Sequence, residues 1–333
     1  MSQVDEQQKV VVEDTGPRLK FFPIMMFAVV MGFSGLSIAY KKAYEVLGMS
    51  PIVYQVLSYV TAAIAIIIAL FYLAKLIKYP QAVKKEFNHP VRVNFFAALS
   101  ISLLLLAVVF HEYSSVARVL FIIGAGTQLF FTFYAITYWL NRNIEIGHSN
   151  PAWFIPVVGN LIVPIAGDGF ADAYVLNFFF ALGGFFWIIL TAILMNRIIF
   201  HGMLPQKFAP TLAIFIAPPS VGMLSYVKLN SIPGQVALDG ISIGMLHIGL
   251  VFFIILLALS KNFYKIKFFV SWWAFTFPLA ALTTAFLLGY QGSAYLPYKI
   301  GGIIMLGITT IVITFVLIRT FVAIRNGEIC KPE

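Results

Sequence analysis

The stretch that decides the fold is "SWWAFTFPLAALTTAF", residues 271–286, in which no side chain carries a charge. It lies within an apolar run of the length that a membrane-crossing helix needs, about 20 residues. Pro278 stands near the middle of this run, and Phe277 directly precedes it. A proline inside a helix leaves a carbonyl one turn earlier without a partner, and lipid offers none. The stretch therefore predicts a membrane helix whose interrupted backbone faces protein or a water-filled cavity.

The composition of the whole chain agrees with this prediction. Of its 333 residues, 61% are hydrophobic and only 11% are charged. A soluble domain of this size could not bury so much apolar surface. The single cysteine, Cys330, and five scattered histidines show no metal-ligand spacing, so no metal and no other cofactor is expected. The first twenty residues are polar and lack the apolar core of a signal peptide.

Ten apolar runs along the chain have the length and composition of membrane spans. We number them one to ten; they cover residues 21–40, 52–74, 93–110, 119–140, 152–167, 173–196, 208–227, 240–260, 268–290 and 300–318. They predict an all-α integral membrane protein with ten transmembrane helices, arranged as five helical hairpins around a central pore. The predicted membrane domain covers residues 21–320, between polar tails at residues 1–20 and 321–333.

The basic residues predict the orientation of these spans. Of the 22 lysine and arginine residues, 17 lie in the tails and in the connections on the same side, and 5 lie in the connections on the other side. By the positive-inside rule both termini are cytoplasmic, so we expect a multi-pass protein of the plasma or inner membrane. The same distribution accounts for the net charge of +9, and no nucleic-acid partner is expected.

Prolines in the middle of spans occur only in odd-numbered spans. Pro156 and Pro164 lie in span five, Pro218 and Pro219 in span seven, and Pro278 in span nine. Backbone breaks are tolerated where a helix faces protein or water. The pattern therefore predicts an inner ring of odd spans, with kinks at Pro156, Pro218 and Pro278, and an outer layer of even spans against lipid.

Four stretches resemble one family of membrane proteins. They are "EFNHPVRVNFFAA" (residues 86–98), "NPAWFIPVVGN" (150–160), "APPS" (217–220) and "KFFVSWWAFTFP" (267–278). They are similar to sequences of the bacterial tellurite-resistance proteins and the plant slow-type anion channels, a family that also contains dicarboxylate and sulfite transporters. The resemblance covers nearly the whole chain, with ten spans in the same order.

This resemblance implies a homotrimer in which each subunit has its own pore. The odd helices would line the pore, the even helices would surround it, and the phenylalanine before the span-nine proline, here Phe277, would close it. Many relatives carry a glycine at the position of Ala28, four residues before Gly32. The additional methyl group of Ala28 is expected to narrow the pore.

Several candidate site residues have two interpretations from sequence. Phe277 is either a gate or one of the many packing residues among 33 phenylalanines. Ala28 and Gly32 are candidates for the pore wall. The polar candidates are Asn160, Ser220 and Thr276. Their uncharged groups could replace part of the hydration of an anion without holding it tightly, or they could form hydrogen bonds between helices.

Two ionisable residues also allow two interpretations. Arg92, where span three meets the cytoplasm, could concentrate anions at the inner mouth, or it could be an ordinary positive-inside anchor. His247 lies in the middle of span eight, and ionisable residues at that depth are usually functional. Since span eight is even-numbered, a neutral histidine bonded to a neighbouring helix is the interpretation that we favour.

The sequence predicts an anion channel that passes small monovalent anions, such as chloride or nitrate, through a neutral pore. The alternative is a proton-coupled carrier for C4-dicarboxylates or sulfite, and a membrane enzyme or receptor is a third hypothesis. A fixed charge in mid-membrane costs about 3 kcal/mol or more and persists where coupling requires it, and the odd spans have none. No nucleophile–base constellation is evident, so enzymatic activity is not expected. The expected partners are inorganic or organic anions, the lipid bilayer and further copies of the chain.

Overall fold

The computed structural model describes residues 16–232, 234–263 and 266–331 of the chain. Most of the predicted N-terminal tail, residues 1–15, lies outside the described residues, as do the last two residues of the predicted C-terminal tail. Every regular element in the described part is a helix. The prediction of an all-α membrane protein is confirmed.

Nine helices in these ranges are long and apolar enough to cross a membrane. They are span one, Ile24–Leu47; two, Pro51–Lys78; three, Arg92–Val109; four, Ser114–Leu140; six, Ala173–Phe200; seven, Gln206–Asn230; eight, Gly240–Ala258; nine, Val270–Ser293; and ten, Leu296–Arg325. A shorter apolar helix, Pro151–Ala166, takes the place of span five. The tenth full-length crossing is therefore not confirmed. Two short helices, Pro80–Phe87 and Ser260–Phe263, lie in the connections after spans two and eight.

Span ten is longer than the sequence predicts. It remains helical to Arg325, whereas the predicted span ended at residue 318 and the predicted tail began at residue 321. Thr320 and Ala323 are buried in this extension, and Trp273 Nε1 of span nine donates to Thr320 Oγ1 at 2.9 Å. Contacts with the bundle therefore stabilise the helix past the end of the apolar run.

Segments near the two ends of the described chain meet at one end of the bundle. Arg18 Nη2 lies 2.9 Å from the position that a Cβ on Gly327 would occupy. Nearby, Lys75 Nζ donates to the carbonyl of Phe22 at 2.8 Å. Following the predicted topology, we call this the inner end of the bundle and the opposite end the outer end.

The odd-numbered spans share an irregular backbone, whereas the even-numbered spans are uninterrupted α-helices. The odd spans contain 3-10 segments at Ile24–Met26, Arg92–Phe96, Pro151–Trp153, Gly159–Ile162, Gln206–Ile216 and Val270–Phe275. Pro156, Pro218 and Pro278 each stand in the first turn of the α-helix that follows such a segment. A missing N–H is tolerated there because it has no helical partner. The predicted kinks thus coincide with changes of helix type.

Burial alternates along the chain in step with this irregularity. In the apolar windows of spans one, three, seven and nine, 72% to 78% of the residues are buried, against 22% to 33% in the even spans. Irregular backbone cannot face lipid, because its free polar groups would remain unsatisfied. The odd spans therefore occupy the interior, and the apolar faces of the even spans surround them.

Span four satisfies the broken backbone of span five. The side chain of Gln128 is fully buried, and its Nε2 donates to the carbonyls of Ile155 and Pro156 at 3.2 and 2.9 Å. Thr132 Oγ1 also donates to the Pro156 carbonyl, at 2.7 Å. Side chains of an outer helix thus donate to carbonyls of the interrupted inner helix. The interrupted backbone of span five therefore faces span four at these carbonyls.

Candidate functional site

Two cavities lie one above the other between the odd spans. The inner cavity has a volume of about 70 Å³ and the outer cavity about 30 Å³. All five odd spans contribute to both walls. The inner wall includes Ala28, Ile101, Val158, Ala217 and Ala274, and the outer wall includes Ile38, Leu105, Ile165, Leu224 and Ala281.

Three side chains belong to the walls of both cavities and therefore separate them. They are Ile162 of span five, Val221 of span seven and Phe277 of span nine. Phe277 is the largest of the three and is only 9% exposed. The layer that these residues form, which we call the constriction, is entirely apolar. Apolar layers of this kind disfavour water.

A glycine of span one lets the Phe277 ring occupy this position. A Cβ on Gly35 would lie 3.2 Å from Phe277 Cδ2 and 2.9 Å from Ala280 Cβ. Because Gly35 has no side chain, span one approaches span nine closely at the level of the ring. Phe277 is thus enclosed by spans one, five, seven and nine.

The walls of both cavities are nearly free of polar groups. Ser271 is the polar residue of the inner wall and Thr284 that of the outer wall. Both hydroxyls already donate to backbone carbonyls, Ser271 to Lys207 and Thr284 to Ala280. No ionisable side chain is among the described residues that form these walls. Within the described ranges, no three His, Cys, Asp or Glu side chains are placed to hold a metal ion.

Some of the sequence-predicted site residues lie at the cavities. Phe277 belongs to the constriction, and Ala28, Pro218 and Pro278 belong to the inner wall. Pro156 is outside both walls, although its neighbour Ile155 belongs to the inner one. The structure thus brings together four of the predicted residues, from spans one, seven and nine.

The polar candidates Asn160 and Ser220 are not among the described residues that form the two cavity walls. Asn160 Nδ2 donates to Thr132 Oγ1 of span four at 2.8 Å. Ser220 Oγ donates to the Ile216 carbonyl at 2.7 Å, and a Cβ on Gly249 of span eight would lie 2.8 Å from that oxygen. Their side chains point towards even-numbered spans. Hydrogen bonding accounts for the Ser220 hydroxyl and for the Asn160 amide nitrogen, whereas Asn160 Oδ1 is buried without a partner among the described residues.

Gly32 and Thr276 form a contact between spans one and nine. Thr276 Oγ1 donates to the Trp273 carbonyl at 2.7 Å. A Cβ on Gly32 would overlap the Thr276 side chain and would lie 3.2 Å from Trp273 Cε3. Gly32 therefore serves the close packing of two inner helices, and neither residue belongs to a cavity wall.

The two ionisable candidates lie at different places. Arg92 is half-buried at the inner end of span three, and its backbone N–H lies 3.3 Å from His89 Nδ1. It precedes Phe95 of the inner wall by three residues, so the two lie on the same side of the span. His247 Nε2 is 3.3 Å from the Tyr298 hydroxyl of span ten. This contact between two even-numbered spans agrees with a histidine bonded to a neighbouring helix.

The sequence did not identify Ile162 and Val221 as partners of Phe277. Both are ordinary aliphatic residues on spans that contain many others. Only the placement of spans five and seven around the ring distinguishes them. Phe277 was identifiable because it precedes Pro278 within a long specific motif, and no comparable signal marks its two partners.

The chain is similar over most of its length to one family of membrane proteins. A family model described as SLAC1, voltage-dependent anion channel, matches residues 21–321. S-type anion channel SLAH2 of Arabidopsis thaliana is 28% identical over 325 residues, which cover 94% of this chain and 61% of that protein. An uncharacterised transporter of Methanocaldococcus jannaschii is 26% identical over 344 residues, which cover 95% and 98%. A tellurite resistance protein TehA homologue of Haemophilus influenzae is 25% identical, with 92% of both chains covered. The chain thus spans about three-fifths of the plant protein and nearly all of the archaeal one.

Proposed function

Since the chain belongs to the voltage-dependent anion channel family, we propose that it is a channel for small monovalent anions and that the ring of Phe277 closes it. The observation that carries the proposal is the pair of central cavities walled by all five odd spans and interrupted at the constriction. The named relatives of this family are channels and transporters, and we propose no enzymatic activity for the chain.

The nature of the walls supports monovalent anions as the transported ions. The described wall residues include no ionisable side chain, so none of them carries a charge that could hold a divalent anion. An apolar path requires an ion to give up part of its hydration, which is least costly for large anions of single charge. Weak binding also favours conduction, because an ion must leave the site as readily as it reaches it. We propose chloride- or nitrate-like anions on this basis.

A proton-coupled carrier for dicarboxylate or sulfite is the second candidate. It is favoured by the transporter names of some relatives, while the described residues of the cavity walls include neither a proton-binding group nor a fixed positive charge. Arg92, one turn inward from the inner wall, would serve either mechanism by raising the local concentration of anions.

We also propose an arrangement in the membrane. Both termini face the cytoplasm of a plasma or inner membrane, and the even spans contact lipid through their exposed apolar side chains. Both cavities lie within one chain, which supports a separate path in each subunit. The homotrimer implied by the resemblance would therefore contain three independent pores.

Current measurements distinguish the channel from the carrier. Purified Phe277→Ala protein in a planar bilayer should show a reversal potential that follows the chloride gradient, by about 59 mV per tenfold ratio. The wild-type protein serves as the closed control. Because the path is apolar, the permeability should rise from chloride to nitrate to thiocyanate, within about one order of magnitude. A reversal potential that follows a pH gradient and ignores chloride would support the carrier.

Thiol labelling tests the topology. Cys330 is the single cysteine, so Cys330→Ser removes the native thiol. In that background Gln81→Cys places a thiol on the exposed face of the helix Pro80–Phe87. We expect it to be protected from an impermeant reagent outside intact cells. Ser114→Cys, exposed at the outer end, is the control and should react. Labelling of the thiol at position 81 from outside would contradict the proposed orientation.

A further inference from the structure

Charged residues lie at the outer mouth, on two of the odd spans and just after the ends of two others. Each follows a residue of the outer wall by three or four positions: Lys41 after Ile38, Glu112 after Val108, Asp168 after Ile165 and Lys228 after Leu224. For Lys41 and Lys228, which lie within their helices, that spacing is about one helical turn and places them on the side that faces the cavity, further outward. Glu112 and Asp168 lie in the turns just after the helices Ala97–Val109 and Val163–Ala166, next to these lysines. We call Lys41, Glu112, Asp168 and Lys228 the outer rim.

The outer rim consists of two ion pairs. Lys41 Nζ of span one lies 2.8 Å from Glu112 Oε1 at the end of span three. Lys228 Nζ of span seven lies 2.6 Å from Asp168 Oδ2 after span five. His111 Nε2 lies 3.2 Å from the backbone carbonyl of Asp168, which connects the two pairs. Spans one, three, five and seven are thus joined around the mouth.

These pairs are too exposed to contribute much to stability. The side chains of Lys228 and Asp168 are 46% and 44% exposed, and that of Glu112 is 63% exposed. Pairs in water at such positions are strongly screened and stabilise a fold little. Their main consequence is electrostatic. Each carboxylate cancels a positive charge that would otherwise attract anions to the mouth.

We propose that Glu112 and Asp168 limit anion influx from the outer side by neutralising Lys41 and Lys228. The proposal rests on the proposed channel function. The inner end carries most of the basic residues, 17 of 22, so anions are concentrated there. Anions that enter from the outer side first meet the nearly neutral outer rim. The two carboxylates thereby make the open pore conduct anions outward more readily than inward.

Excised patches of an expressing cell provide the test, because the protein has a fixed orientation in them. Both chains compared carry Phe277→Ala, and one of them also carries Glu112→Gln and Asp168→Asn. The amides keep an oxygen that accepts from each lysine and remove only the charge. At about 0.01 M chloride, anion flux from the outer side should rise about two- to fivefold. At about 1 M, where the Debye length falls to about 3 Å, the difference should vanish.

Asp172→Asn is the matched control. Asp172 lies at the same end, and its Oδ1 accepts from the Tyr174 N–H at the start of even-numbered span six. Asparagine caps a helix as well as aspartate does, so the control loses the same charge without loss of the cap. We expect it to leave the flux unchanged. Further replacement of Lys41 and Lys228 by glutamine should return the flux of the rim variant to its starting value.

Three results would overturn the proposal. An equal increase in Asp172→Asn would mean that any negative charge at the outer surface has this effect. Unchanged flux in the rim variant, while Phe277→Ala conducts anions, would reject the rim's role and leave the channel function standing. Absence of anion current in every variant would reject both.

Discussion

Replacement of Phe277 by alanine is expected to raise the anion conductance of the purified protein by about tenfold or more. The ring fills the constriction together with Ile162 and Val221, and cavities lie on both sides of it. Without the ring, the two cavities join into one path. In a sealed core the same change costs about 3–5 kcal/mol. Here water or ions can occupy the vacated space, so expression and oligomeric state should be retained.

Two further variants complete this test in bilayers at matched amounts of protein. Phe277→Leu should give an intermediate conductance, because leucine is smaller than phenylalanine but still apolar. Phe286→Ala is the control for the loss of a buried ring on the same span. Phe286 is 5% exposed, faces Gly301 of span ten and belongs to neither cavity wall, so its loss should destabilise the fold without raising conductance. A well-folded Phe277→Ala protein with wild-type conductance would assign Phe277 to packing alone.

Replacement of Glu86 by alanine is expected to destabilise the protein by about 3–5 kcal/mol, because it leaves a buried lysine without its counter-charge. Lys75 and Glu86 are 3% and 4% exposed, with Nζ and Oε2 2.5 Å apart. Glu86 Oε1 also accepts from the Ile24 N–H at 2.8 Å, and Lys75 donates to the Phe22 carbonyl. The pair thus attaches the start of span one to the end of span two.

The measurement is the temperature at which half of the detergent-solubilised protein is lost from its size-exclusion peak. It should fall clearly for Glu86→Ala. The double variant Lys75→Met with Glu86→Leu should recover most of the loss, because no charge then remains buried. Glu45→Ala is the control, since Glu45 pairs with Lys42 at 38% exposure and such pairs contribute about 0–1 kcal/mol. An unchanged temperature for Glu86→Ala would show that Lys75 does not depend on this partner.

Hydropathy and proline placement predicted nine of the ten spans in the described part of the chain and the division into buried odd and exposed even spans, while the helix of span five is shorter than a full-length crossing. Lipid solvates apolar side chains but offers no hydrogen bond to a free carbonyl. Both effects depend on residue type, so the sequence indicates them directly. Phe277 was predictable for a different reason, because it lies in a long motif that ends at Pro278. The burial of Lys75 was not predictable. Its charge indicates a connection outside the membrane, and its buried partner Glu86 lies eleven residues later on a separate short helix.

The direction of individual side chains was less predictable, for a geometric reason. A 3-10 segment turns about 120° per residue and an α-helix about 100°. The six residues Val270–Phe275 therefore rotate the rest of span nine by roughly 120° relative to a continuous α-helix. Thr276 follows directly and faces span one. Without knowledge of these segments, the sequence could not indicate which polar residues of the odd spans reach a cavity.

The dependence of span five on span four has a consequence for how the chain enters the bilayer during synthesis. Span five is short, and its carbonyls at Ile155 and Pro156 receive hydrogen bonds from Gln128 and Thr132. Lipid could not replace these hydrogen bonds. Span four emerges first and would carry a buried amide that lipid disfavours until span five arrives. The two segments should therefore leave the translocation machinery together, as one unit that shields its own polar groups.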